Sequence, residues 1–255
     1  MNTSKHRFYV PPTSISGTSV AFSQEEARHA TRVLRLEEGD EVTVVDGEGW
    51  TYLVSIESIQ KRGLIGLIKE KWEDLGEATF KLHVGLAVLK QSARWESFLE
   101  KAVESGCTRI SPVLSERTQV SRNKFNRRRA ESILVGSLKQ SERSRLPKLD
   151  DPIELAALLA EDGSLRLIFH ESLHQGKRFE KRLGKLLMEV APEDSTDIQL
   201  LIGPEGGFSE SEVEKAIDSG WIPVWLGKRR LRAETAAITA LSMVAQIIDE
   251  RFGTS

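Results

Sequence analysis

Leu200–Phe208, LLIGPEGGF, and Val224–Ala237, VWLGKRRLRAETAA, are the two stretches that decide the architecture. Each is a short apolar run that ends on a glycine, Gly203 in the first and Gly227 in the second, with a helix start a few residues on. Near-continuous apolar runs are what strands covered on both faces require. Downstream of the first stretch, Ser209 and Glu212 have capping-box spacing and open a helix that closes near Gly220. Ile222–Leu226 is the next strand. Ala233–Phe252 is the last helix, with Ala237, Leu241, Val244 and Ile248 on one stripe that suits core packing or an oligomer face. Upstream, Lys81–Leu89, Arg109–Leu114, Leu165–His170 and Asp197–Ile202 read as strands. Between them lie a helix marked by Trp95, Phe98, Leu99, Ala102 and Val103 and stopped at Gly106, and another over Ala130–Leu138. This alternation predicts an α/β domain with a parallel sheet. Residues 171–197 carry no legible pattern.

The first part of the chain has a different rhythm. Glu41–Asp46, Thr51–Ile59 and Leu64–Lys69 are rich in β-branched residues and separated by turn signals at Asp46-Gly47, Gly49 and Arg62-Gly63. Ser23 and Glu26 again have capping-box spacing, and the run from Glu25 to Leu36 places Ala27, Ala30, Val33 and Leu34 on one stripe, so one short helix interrupts the strands. Residues 1–72 are therefore expected to form a small β-rich barrel or sheet, Glu73–Thr79 a boundary, and residues 79–255 the α/β domain.

Composition excludes several classes of function. With 36 basic and 38 acidic residues the formal charge is −2, a globular balance. A single cysteine, Cys107, rules out an intramolecular disulfide and a cysteine-pair zinc site, which suits a reducing, cytoplasmic setting. The five histidines are scattered, so no metal is expected; His83, alternating with apolar neighbours, reads as structural. No apolar run is long enough to span a membrane, and the start, MNTSKHRFYVPP, lacks the features of a secretion signal. Gly-x-x-x-x-Gly-Lys-Ser/Thr, His-Glu-x-x-His and Gly-x-Ser-x-Gly are all missing, and no strand feeds a Gly-x-Gly-x-x-Gly turn.

What remains are three features. In an open α/β sheet ligands bind at the carboxyl ends of strands, which is where Gly203–Gly207 with its one carboxylate, Glu205, falls. Its glycines would let a ligand reach the backbone, or would simply serve a tight turn. The second loop carries Lys228, Arg229, Arg230 and Arg232, which suggest phosphate contact; Glu234 and Thr235 behind them could act on a ligand or merely cap the helix. Third, Arg117–Lys148 holds ten basic residues against Glu131 and Glu142, a local excess of eight positive charges. Such a run is either a solvated helix face or the footprint of an RNA-backbone binder.

The combination SPVLSERT (Ser111–Thr118), SERSRLPKL (Ser141–Leu149), LLIGPEGGFSESEV (Leu200–Val213) and LGKRRLRAETAAITAL (Leu226–Leu241), preceded by RFYV and HATRVLRLEEGDEVTVVDGEG (His29–Gly49), resembles the RsmE family of ribosomal RNA methyltransferases. The resemblance implies a PUA-like, RNA-binding β-barrel over residues 1–72 and a SPOUT-type α/β domain over residues 79–255, its C-terminal segment threaded through a trefoil knot. It also implies a homodimer, S-adenosylmethionine as methyl donor, and methylation of N3 of uridine 1498 in 16S RNA of the small ribosomal subunit. Carried onto this sequence, the donor-binding residues are Ile202, Gly203, Pro204, Glu205, Gly206 and Gly207 in one loop and Leu226, Gly227, Leu231, Arg232, Thr235 and Ala236 in the other, with Phe169–Glu171 as a third wall. Arg232 is expected to stabilise charge on a uracil oxygen and Glu234 to accept the N3 proton. Arg7, Arg32, Arg35, Arg117, Arg122, Lys124, Arg127, Arg143 and Arg145 are expected to bind RNA. Lys139-Gln140 and Gln91-Ser92 depart from the family pattern on the substrate side. Two other readings fit the same residues: a SPOUT enzyme acting on transfer RNA or a ribose hydroxyl, and a non-catalytic RNA-binding assembly factor.

Overall fold

The structure is a computed structural model of the 255-residue chain. It describes residues 6–60, 63–121, 124–163, 165–170, 182–189 and 197–252. The chain divides into two compact units, one of Met1–Glu77 with Val135–Leu146, the other of Ala78–Leu134 with Pro147–Ser255.

In the first unit β1 (Arg7–Tyr9), β2 (Ile15–Ser16), β3 (Ser19–Phe22), β4 (Glu41–Val45), β5 (Trp50–Gln60) and β6 (Gly63–Glu73) form one six-stranded sheet in the order β1-β4-β5-β6-β3-β2. Only the β1–β4 pairing is parallel. The β-branched residues of β4 and β5 put Val42, Val44, Val54 and Ile56 into a core with Phe8, Phe22 and Leu64, the Phe8 and Phe22 rings meeting edge to face at 5.5 Å. A fully buried side chain of this size contributes ~1.5–3 kcal/mol.

The helix expected over Glu25–Leu36 is shorter. Ser23 Oγ accepts from the Glu26 amide and starts α1 (Gln24–Arg28), which then widens into a π-turn over His29–Val33. Lys139 Nζ binds Glu26 Oε1 at 2.7 Å, so the Glu26 carboxylate is engaged across the unit.

The second unit is a parallel sheet of β7 (Lys81–Ala87), β8 (Arg109–Leu114), β9 (Lys148–Leu149), β10 (Ile153–Glu154), β11 (Leu165–Phe169), β12 (Asp197–Ile202) and β13 (Ile222–Val224). Its order is β10-β8-β7-β12-β11-β13, with β9 also pairing β8. β12 lies inside the sheet between β7 and β11 and is buried from Ile198 onward, which accounts for its apolar run. Its helices are α2 (Ser92–Glu104), α4 (Leu155–Leu159), α5 (Leu183–Glu189), α6 (Glu210–Asp218) and α7 (Ala233–Phe252); the first part of α3 (Arg127–Gln140), to Leu134, also belongs to it. Leu158 of α4 and Val213 and Ala216 of α6 share a core with Phe208, Trp221, Ile168 and Leu201. α7 packs on α2, α5, β7 and β12 through the predicted stripe, with Ala237, Leu241, Val244 and Ile248 all buried.

Candidate active site

Both decisive loops leave the carboxyl ends of parallel strands, β12 and β13, which lie on either side of β11. Between them the second unit holds a cavity of about 630 Å³, lined by Ile202–Phe208, Val224–Ala233 and Ala236, with Phe169 and His170 from the end of β11.

Pro204–Gly207 is a tight turn in which the Gly207 amide donates to Pro204 O at 2.8 Å, with Gly207 at φ +69°. A Cβ on Gly203 would stand 3.2 Å from the Gly207 carbonyl carbon and from the Phe208 ring, so only glycine lets the turn close over that aromatic without displacement. The same loop is tied down by α6. Ser209 Oγ accepts from the Glu212 amide and Glu212 Oε2 from the Ser209 amide, a complete capping box, while Glu212 Oε1 accepts from the Glu116 amide. Arg117 then donates to Gly206 O at 2.9 Å. In the second loop Gly227 lies at φ +126°, where other residues are strained.

Of the twelve residues expected to hold the donor, eleven line the cavity. Thr235 is exposed and does not: Ala233 and Ala236 share the cavity-facing side of the first turn of α7, and Thr235 falls off that side. In the third wall, Glu171 lies outside the described residues. Arg232 lines the cavity from an exposed position. Glu234 is 8% exposed, its Oε1 3.7 Å from Arg94 Nε and its buried Oε2 without a hydrogen-bond partner among the described residues.

Arg94 was not visible from the sequence as a site residue. It stands in the first turn of α2, whose entry is pinned by Trp95 Nε1 donating to Ala87 O at 3.1 Å. The Arg94 guanidinium lies 3.9 Å from Glu205 Oε1, which also accepts from the Lys90 amide at 3.2 Å. One cation thus faces a carboxylate from each loop. Gln91, one of the departures from the family pattern, is the N-cap residue of α2 and makes no capping bond.

The expected RNA-binding residues separate into groups. Arg117 joins the cavity, Arg32, Arg35 and Lys124 are exposed, and Arg122 lies outside the described residues. Arg7 donates to Arg143 O. Arg143, expected at an RNA surface, is instead buried: its guanidinium meets Glu77 with only 4% and 6% of the two side chains exposed. Glu77 Oε1 also accepts from the Ser144 and Arg145 amides. Arg145 pairs with Asp74, and Arg127 with Glu131 and Asp151. No group of three or more potential metal ligands, and no helix long and apolar enough to cross a membrane, occurs among the described residues.

Fold and cavity define a parallel α/β domain whose ligand site is built from strand-end loops. The RNA methyltransferase domain family matches residues 76–245, and the RNA methyltransferase PUA domain family residues 22–69. The chain therefore belongs to the RNA methyltransferase family, in its RsmE branch. It is 29% identical over 247 residues to the ribosomal RNA small subunit methyltransferase E of Synechocystis, covering 96% of this chain and 78% of that one. Among solved structures it is similar to a probable rRNA-methyltransferase from Porphyromonas gingivalis, with TM-score 0.81, 29% identity, and coverage of 95% of this chain and 98% of that one. A ribosomal RNA small subunit methyltransferase E from Neisseria gonorrhoeae bound to S-adenosyl methionine matches with TM-score 0.80 and 27% identity over 96% of this chain and 97% of that one.

Proposed function

We propose that the protein is an S-adenosylmethionine-dependent methyltransferase that modifies N3 of a uridine, position 1498, in 16S RNA of the small ribosomal subunit, working in the cytoplasm as a homodimer. One observation carries this reading: the glycine-bearing cavity lies in a fold that matches, over 96% of the chain, a ribosomal RNA small subunit methyltransferase E bound to S-adenosyl methionine. The cavity suits that donor in size and chemistry. About 630 Å³ takes a nucleoside with its methionine arm. The glycine-rich turn lets the donor approach the backbone closely, Phe169, Ile202, Leu226 and Leu231 provide apolar contact, and Glu205 offers a carboxylate to a cationic group. When bound, S-adenosylmethionine supplies an electrophilic sulfonium methyl.

The chain's residues then handle the base. N3 of uracil carries a proton, is a poor nucleophile until it loses it, and lies in the base-pairing edge, so the uridine enters unpaired or turned out of its stack. Glu234 accepts the N3 proton, directly or through water. Arg232 stabilises charge that develops on a carbonyl oxygen of the ring. The loops, held by the α6 capping box and by Arg117, keep the reacting groups in line. Arg32, Arg35, Arg117 and Lys124 contact the RNA backbone.

The test is methyl transfer from isotopically labelled donor to free 16S RNA and to assembled small subunits, with the product nucleoside identified by mass spectrometry. N3-methyluridine at one position is expected. Label in transfer RNA, on a ribose hydroxyl, or nowhere would overturn the reading.

A further inference from the structure

Arg94 and Glu234 face each other at the cavity, and one oxygen of the Glu234 carboxylate has no hydrogen-bond partner among the described residues. Their closest approach, 3.7 Å, is within ion-pair range but beyond a hydrogen bond, as is the 3.9 Å from Arg94 to Glu205. Among the described residues Glu234 Oε2 is buried and accepts no hydrogen bond, while the Arg94 guanidinium stands partly open to the cavity. An unpartnered buried oxygen is costly, so a third group that satisfies both would be favoured. Both residues are carried on helix starts that open onto the cavity. Arg94 is fixed beside Trp95, which is bonded to the end of β7, and Glu234 sits in the first turn of α7. The missing partner must offer an acceptor to a guanidinium and an N–H to a carboxylate, side by side. That pattern is a lactam edge, and uracil presents it at N3, with a carbonyl on each side.

We propose that Arg94 and Glu234 form a clamp that reads the base-pairing edge of the target uracil, Arg94 donating to a carbonyl oxygen next to N3 while Glu234 faces the N3 proton. The inference rests on the functional reading above and adds a residue to it. As the N3–H bond breaks, its proton goes to the Glu234 carboxylate and its electron pair stays on the ring. Arg94 holds the resulting charge on one carbonyl oxygen and Arg232 on the other. N3 then bonds to the methyl carbon as the sulfonium S–C bond breaks, leaving a neutral thioether. Cytosine has no proton at N3 and sets an amino group at position 4, so it could satisfy the pair only in a register shifted by one atom, with N3 facing Arg94 rather than the methyl donor, which gives the site its base selectivity.

The experiment uses full-length wild type, Arg94→Ala and Arg94→Lys. Calorimetry gives donor affinity, which also reports that each variant is folded, and single-turnover methylation of 16S RNA is followed across pH. At saturating donor, with binding confirmed by calorimetry, Arg94→Ala should lose about 100-fold in single-turnover rate, the effect of deleting one donor to a developing oxyanion. Its rate should rise only at higher pH, where N3 ionises without help, and recover in part with added guanidinium ion; Arg94→Lys should fall between. An unchanged rate in Arg94→Ala, or a loss that follows lost donor affinity with an unshifted pH profile, would overturn the clamp alone. Wild type that binds donor and leaves every uridine unmodified would overturn the functional reading and the clamp with it.

Discussion

His83 of β7 donates from Nε2 to Ser111 Oγ at 2.7 Å, because the Ser111 hydroxyl gives its own proton to Asp150 Oδ2 at 2.6 Å. Burial pushes the imidazole pKa down to about 4, and the positive charge of Arg109, which binds Asp150 and Glu161, adds to the effect. The folded state thus holds fewer protons than the unfolded chain between pH about 4 and the usual 6.5. Stability from this group is complete above that window and is lost as pH falls through it, up to about 3 kcal/mol at about 1.4 kcal/mol per pH unit. His83→Gln should show a shallower fall in denaturant midpoint between pH 6.5 and 5 than wild type; identical slopes would contradict the assignment. At the active site, Glu234→Gln should leave donor affinity intact and abolish the wild-type pH dependence of methyl transfer, whereas a normal pH profile would remove Glu234 as the base. Alternation of His83 with apolar neighbours made its structural role legible in sequence. Arg94 was illegible because its two carboxylates arrive from loops far along the chain, and no local pattern records a pairing made only by the sheet.

At the scale of elements, the α6 capping box has two tasks. It satisfies the helix start and, through the Glu116 amide, ties down the loop that carries Arg117. Ser209→Ala should cost ~0.5–2 kcal/mol in denaturant unfolding, and it should weaken donor binding as the first loop loosens. Gly227→Ala separates strain from contact. Nothing lies within 4 Å of a Cβ there, so only the φ of +126° penalises it, by ~1–3 kcal/mol. If the donor needs that conformation, its affinity should fall about tenfold for each 1.4 kcal/mol of strain, with little change in unfolding midpoint. Long periodic elements such as α7 and strongly apolar ones such as β12 were legible because their patterns are set by burial on the spot. α1 was not, since after its Ser23 cap the backbone widens into the π-turn at His29 without a breaker residue to signal it. β9, β10 and α4 are two to five residues long and carry too little periodicity to read.

Over the whole molecule, charge that is concentrated in sequence is dispersed in space. Among the described residues of the run Arg117–Lys148, six bases, Arg127, Arg129, Lys139, Arg143, Arg145 and Lys148, form ion pairs, with acids drawn mainly from outside it. On the proposed reading, the bases that are exposed and outside those pairs, Lys124 among them, are the ones that would meet phosphate. Lys124→Ala should reduce the slope of log affinity for RNA against log salt by ~0.7–0.9, whereas Arg127→Ala, whose charge is already met by Glu131 and Asp151, should change it much less. Filter binding across a salt series checks both. Sequence shows where bases cluster but not which are neutralised, and for the same reason it does not reveal that Val135–Leu146 joins the first unit, through contacts such as Arg143 with Glu77. The measurement that bears most directly on the central claim is a crystal structure of the protein grown with S-adenosylmethionine. Donor density enclosed between Ile202–Gly207 and Leu226–Ala236 is the expected result; donor bound elsewhere, with that cavity unchanged and unfilled, would contradict it.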